Sequence, residues 1–140
     1  MRSRLQAFAQ SFGVTGMGSP ERLPNTRRAL AMAEYARDHD RLDAFREGAM
    51  RAHWQENRNL ENEADLRAVA LGAGLEPDAA LAASHDTRFL ARVDAAREEA
   101  NDRGVTGIPT FFFEGIPVVG CQPYEQLEAA ARAAGATRRR

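Results

Sequence analysis

Thiol chemistry is the first possibility to bound, because the 140 residues contain a single cysteine, Cys121. One thiol forms no intrachain disulfide, so the cysteine count is silent on an oxidising compartment. Cys121 lies in Gly120-Cys121-Gln122-Pro123. Proline favours the first turn of a helix, which places the sulfur near a helix N-terminus, where the dipole lowers the pKa of an exposed thiol. A monothiol there can form mixed disulfides. The reading preferred from the sequence is a small buried residue on a strand-to-helix turn. The three histidines, His39, His53 and His85, fall on separate helical segments with no cysteine or carboxylate at ligand spacing, so no metal site is expected. His53-Trp54 reads as a half-buried pair on a helix. Asp94, Glu98, Glu99 and Asp102 cluster on one stretch; paired-carboxylate catalysis needs a pocket that drives two pKa values apart, and a solvated acidic face is expected instead. Gly13, Gly16 and Gly18 precede no Lys-Ser/Thr and follow no strand, so they form a connector and not a phosphate loop. No cofactor is expected.

The elements that must position these residues are mostly helical. Residues 3–12 place Leu5, Phe8 and Phe12 on one side of a short helix, and the glycines with Ser19 and Pro20 break it. Asn25 or Thr26 caps a second helix that runs to about His39 and buries Leu30, Ala33 and Ala36. Asp40 caps a third, with Leu42, Phe45, Ala49 and His53 at helical spacing. Asn62 caps a fourth that buries Leu66, Val69 and Ala70 and ends at Gly72 or Gly74. Pro77 opens a short fifth helix with Leu81, and Asp86 caps a long sixth whose buried face is Phe89, Leu90, Val93, Ala96 and Ala100. Gly104 stops it. The period then shortens: residues 110–113 and 117–119 are β-prone runs separated by the turn signal Glu114-Gly115, a β-hairpin. Pro123 opens a last helix with Tyr124, Leu127, Ala130 and Ala134 on one face. Arg138, Arg139 and Arg140 form a solvated tail.

The hairpin raises a difficulty. Phe111-Phe112-Phe113 is apolar on both faces, which predicts cover on both sides, yet two strands alone are marginal and no third strand is evident. The sheet is therefore expected to be incomplete, with an edge that invites another chain. Bulk composition fits one domain with one core: 44% of residues are hydrophobic and 28% charged. A net charge of −1 recruits neither nucleic acid nor an anionic membrane. All basic residues are arginine, which in an Ala-rich chain reads as compositional bias. Arg2 and Arg4 precede no apolar signal core and no run is long enough to span a bilayer, so a cytoplasmic location is expected.

Gly104-Val105-Thr106-Gly107-Ile108-Pro109-Thr110-Phe111 resembles the cis-proline loop of DsbA-family thioredoxin-like proteins. The resemblance continues through Glu114-Gly115, Val118-Val119-Gly120 and Gln122-Pro123-Tyr124-Glu125-Gln126-Leu127. Leu23-Pro24-Asn25-Thr26-Arg27-Arg28-Ala29-Leu30 and Ala33-Glu34-Tyr35-Ala36 are similar to the start of the helical insertion in the cytoplasmic, polyketide-associated branch. Residues 21–134 carry the resemblance. It implies an α/β, thioredoxin-like fold of DsbA type with an all-helical insertion, here mostly α with a C-terminal β-hairpin and helix. In that scheme residues 1–25 are an N-terminal helix and connector, 26–103 the insertion, 104–135 the C-terminal ββα segment and 136–140 a tail.

The resemblance also implies roles. Family members open with a strand, a Cys-x-x-Cys at a helix start and a further strand; one cysteine attacks or receives a disulfide and the other resolves the mixed disulfide. Gly107, Ile108 and Pro109 hold the substrate backbone, an extended peptide or a protein thiol substrate. Nothing before residue 20 resembles the opening unit, and the cysteine pair is missing. The expectation is a truncated product, a diverged relative or half of an assembly. Three functions follow: a thiol–disulfide oxidoreductase relative inactive alone; a peptide-binding or scaffold module using the loop and the open edge by β-augmentation, self-associating through the hairpin edge; or a relative of glutathione-dependent isomerases and transferases of the same fold. Val119-Gly120-Cys121-Gln122-Pro123 fits the disulfide branch better than the Trp-Gly-Gln-Asp type expected of the last.

Overall fold

The structure, a computed structural model, describes residues 2–18 and 23–137. Arg138, Arg139 and Arg140, and the connector residues Ser19 and Pro20, lie outside the described residues. Among the described residues seven helices and two strands follow in the order α1 (Arg2–Ser11), α2 (Arg27–Asp38), α3 (Leu42–Trp54), α4 (Glu63–Gly72), α5 (Pro77–Ala83), α6 (Thr87–Asp102), β1 (Thr110–Phe113), β2 (Ile116–Val119) and α7 (Tyr124–Ala133). The chain forms two compact units, residues 1–95 and 96–140.

Small residues let the helices of the first unit approach closely. The stripe Ala29, Met32, Ala33 and Ala36 on α2 packs with Phe45 of α3, Leu66, Val69 and Ala70 of α4, and Ala80 and Leu81 of α5. A second cluster joins Ala31, Ala83 and Phe89. Leu30, expected inside, is 48% exposed, because the 29/32/33/36 spacing takes the buried face and residue 30 falls a third of a turn away from it. On α6 Phe89 is buried, Leu90, Val93 and Ala100 are half-buried, and Ala96, expected inside, is exposed.

Most helix boundaries follow local chemistry. Asp40 does not cap α3. It sits at φ 57 in the turn after α2, a conformation a short polar side chain tolerates, and Arg41 takes the N-cap position. The Asn62 carboxamide oxygen accepts from Ala64 N (2.8 Å) and Asp65 N (3.2 Å), the cap expected for α4. The Glu76 carboxylate accepts from Asp78 N and Ala79 N ahead of Pro77. Asn62→Ala is expected to lower the urea-unfolding free energy by about 1 kcal/mol, and Asn62→Gly by only a few tenths. Equal losses in the two variants would mean that the side-chain cap contributes nothing.

Exposed ion pairs tie the surface. Arg28 hydrogen-bonds Glu63 (2.9 Å) and holds that carboxyl below the ordinary range; Arg92 does the same for Asp38 (2.7 Å). Exposed pairs of this kind orient side chains and add little stability.

In the second unit β1 and β2 pair antiparallel, with Thr110 opposite Val119 and Phe113 opposite Ile116. Glu114 and Gly115 both have positive φ (47 and 82), the mirror-image turn whose twist matches a two-residue hairpin. The guanidinium of Arg103 stacks over the Phe112 ring at 4.4 Å. Pro123 is the N-cap of α7 and not its first helical residue. No described residue from 96 to 137 is buried. Two-sided cover of the Phe run is therefore not realised: Phe111 is 40% exposed, and Phe112 and Phe113 are half-buried. Two strands and a helix do not supply enough surface to enclose three phenylalanines.

Candidate functional site

Gly104, at φ 70, ends α6, and its N–H donates to Asn101 C=O (2.9 Å). Val105 N–H donates to Ala100 C=O (2.9 Å), closing the helix end. The chain then turns through Thr106 and Gly107. A Cβ on Gly107 would lie 3.2 Å from Val119 Cγ1, so the loop lies close against the end of β2. The Thr110 hydroxyl donates to Gly107 C=O (2.6 Å), which bridges the residues on either side of Ile108-Pro109. The Ile108–Pro109 peptide bond is cis. Ile108 is 91% exposed.

One hydrogen bond sets the polarity of the hairpin edges. Gly120 N–H donates to Pro109 C=O (2.7 Å). With Thr110 opposite Val119, the backbone groups of Phe111 and Phe113 face β2, whereas those of Thr110 and Phe112 face away from it. Pro117, opposite Phe112, takes an outward-facing position on β2. The outer edge of β1 thus offers two N–H and two C=O groups, and the corresponding point on β2 lacks its donor. Loop and edge are continuous: the exposed Ile108 leads directly into the free side of Thr110. The sequence reading singled out Gly107, Ile108 and Pro109 but not Thr110, Phe112 or Pro117. Their parity was available by counting outward from the two-residue turn.

Cys121 is exposed, which corrects the buried position preferred from the sequence. It follows Gly120, which turns the chain at φ 86, and precedes the Pro123 cap. Gln122 Nε2 donates to Val119 C=O (2.8 Å) and closes the same turn.

The remaining candidates do not converge. The His39 ring nitrogen Nδ1 meets Tyr35 C=O (2.8 Å), and His85 Nε2 meets the Arg28 guanidinium (2.7 Å). His53 is buried, edge-on to Trp54 with ring centroids 4.7 Å apart, and its Nδ1 has no hydrogen-bond partner. It is thus more deeply buried than the half-buried pair expected. Asp94 pairs with Arg27 (2.6 Å) and Glu99 with Arg103 (3.2 Å), while Glu98 and Asp102 are exposed. Among the described residues no group of three or more His, Cys, Asp or Glu is placed to hold a metal. No described helix is long and apolar enough to cross a membrane.

Comparison with known proteins places this geometry in context. Residues 1–132 match the DSBA-like thioredoxin domain. The match begins at residue 1, so α1 and its connector lie within it, earlier than the resemblance over 21–134. A solved structure of a probable DsbA oxidoreductase from Streptomyces coelicolor superposes with a TM-score of 0.83 at 25% identity, covering 99% of this chain and 62% of that one. This chain therefore spans about three-fifths of that protein's length. No curated protein matches the sequence.

Proposed function

The chain belongs to the DSBA-like thioredoxin family, and on that footing we propose that it is a substrate-holding module of thiol–disulfide exchange that does not turn over disulfides alone. The observation that carries the proposal is the continuous surface formed by Ile108, which is 91% exposed, and the outward backbone groups of Thr110 and Phe112. Such a surface suits an extended polypeptide, whose backbone adds to the edge while a side chain rests on Ile108. Redox turnover needs an attacking thiolate and a second thiol that resolves the mixed disulfide. The 140 residues supply one thiol.

The same surface supports a second reading, a binding or scaffold module that captures extended segments with no thiol step. Exposure of Cys121 does not decide between the two, since a lone thiol can form a mixed disulfide without resolving it. The glutathione-dependent reading draws no comparable support, and retention on immobilised glutathione tests it directly. The proposed surface is tested by titrating the full chain with an unstructured, cysteine-free polypeptide while following backbone amide resonances. Changes concentrated at residues 107–112 are expected. Changes confined to the cleft lined by Val14, Met17, Met50 and Trp54 along α3 would refute the assignment.

A further inference from the structure

We propose that Thr110 is a positioning residue: its hydroxyl fixes the loop Gly107-Ile108-Pro109 in the form that receives an extended polypeptide, before any polypeptide arrives. This rests on the substrate-holding reading given above and names the side chain on which that surface depends.

Residues 107–109 bend the chain, and Thr110 opens β1. A tight turn of four residues is often closed by a backbone hydrogen bond from the N–H of its last residue to the C=O of its first. No backbone hydrogen bond between described residues does so here. The Thr110 hydroxyl donates to Gly107 C=O instead, at 2.6 Å. Pro109, inside the turn, has no N–H to offer. The closure therefore depends on the identity of a side chain.

Two further contacts tie the loop to β2. Gly120 N–H donates to Pro109 C=O at 2.7 Å, and Gly107 lies so near Val119 that a Cβ on it would stand 3.2 Å from Cγ1. These contacts hold each end of the loop against β2, and the hydroxyl of Thr110 joins one end to the other across Ile108. All three are made within residues 107–120. Thr110 and Gly107 are both half-buried, so water competes less for this hydrogen bond than at an exposed site. A binding loop that is already held in its bound form gives up less freedom when a partner arrives.

Threonine also suits a strand because it is β-branched, and valine suits a strand equally well. Substitution separates the two roles. Thr110→Val keeps the branched shape and removes the donor. Thr110→Ala and Thr110→Ser are a second matched pair, of which only the serine keeps the hydroxyl.

The test follows two quantities in the full chain: the order parameter of the Ile108 amide without ligand, and the affinity for a labelled, cysteine-free, unstructured polypeptide by anisotropy. The parent and Thr110→Ser are expected to show rigid backbone at Ile108, about 0.85, and Thr110→Val and Thr110→Ala to fall towards about 0.6. Affinity should fall about fivefold in the two variants without the hydroxyl, the net contribution of one ordinary hydrogen bond, and stay near the parent's in Thr110→Ser. The amides of Phe111 and Phe113, bonded across the hairpin, report that the strands still pair. Where one variant loses the hairpin, the other carries the comparison; loss in both would make Thr110 a structural residue and overturn the proposal. Unchanged order at Ile108 in Thr110→Val and Thr110→Ala, or a Thr110→Ser variant that behaves as Thr110→Ala does, would overturn it too. A polypeptide that binds the parent and Thr110→Val alike would leave the substrate-holding reading standing and remove Thr110 from it. A parent that binds no polypeptide would refute that reading, and the positioning role would fall with it.

Discussion

Phe45→Ala is expected to destabilise the helical unit by about 3–5 kcal/mol, because truncating a buried phenylalanine loses its transfer free energy and leaves a cavity that neighbours fill only in part. Phe45 is 1% exposed and packs with Met32, Leu66 and Ala70 from the two neighbouring helices. Many other residues of this core are alanines, whose short side chains bring backbones together but cannot swing into a void. Collapse around the missing ring is therefore limited, and the upper part of the range applies. For a unit of this size each kcal/mol moves the midpoint by at least about 4 °C, so a loss of about 3 kcal/mol lowers the Tm by about 12 °C or more. Leu30→Ala is the matched control. Leu30 lies on α2, beside the stripe that packs against Phe45, but is half exposed, and its truncation should cost under about 1 kcal/mol. Thermal melts of the full chain followed by helical circular dichroism measure both. Similar melts for Phe45→Ala and Leu30→Ala would mean that the stripe described on α2 is not the face that packs on α3.

Ile108→Asp carries the second large effect, and it is directed at binding and not at folding. With 91% of its surface in solvent, Ile108 contributes almost nothing to the fold, and the variant should melt within about 0.5 kcal/mol of the parent. Burying an isoleucine side chain under a bound peptide contributes about 1.5–3 kcal/mol, and an aspartate there adds the cost of desolvating its charge. The affinity for an extended polypeptide should fall at least about tenfold. Anisotropy titration with a labelled peptide reads this directly. An unchanged Kd would remove Ile108 from the binding surface, whereas a loss of helical signal would show that the residue is structural after all.

Much of the architecture was legible because punctuation and period agreed. Asn62 caps α4, Pro77 opens α5, Gly104 ends α6, and Glu114-Gly115 closes the hairpin; each is a local signal that no distant contact needs to confirm. The family was legible from the loop sequence around Ile108-Pro109. What local reasoning missed depends on neighbours. Leu30 and Ala96 have the right types at plausible spacing, but which stripe of a helix is buried is set by the helices packed against it. Asp40 carries a capping side chain, yet the turn out of α2 claims its backbone. Cys121 and the Phe run were expected under cover because apolar residues normally find it, and the described hairpin unit has no buried residue. The edge polarity that joins Ile108 to Thr110 and Phe112 is not displayed by residue types and follows only when hydrogen-bond parity is counted outward from the turn at Glu114-Gly115.

The central claim, that this chain holds substrate but does not exchange disulfides by itself, is tested most directly by reduction of a model protein disulfide in the presence of a small-molecule thiol. The purified chain is compared with its Cys121→Ser variant and with no protein. Three equal rates are expected, since Cys121 has no second protein thiol to resolve a mixed disulfide, and the small-molecule thiol that must resolve it attacks the substrate disulfide equally well without the protein. Acceleration by the parent that disappears in Cys121→Ser would contradict the claim and make the exposed Cys121 a working monothiol.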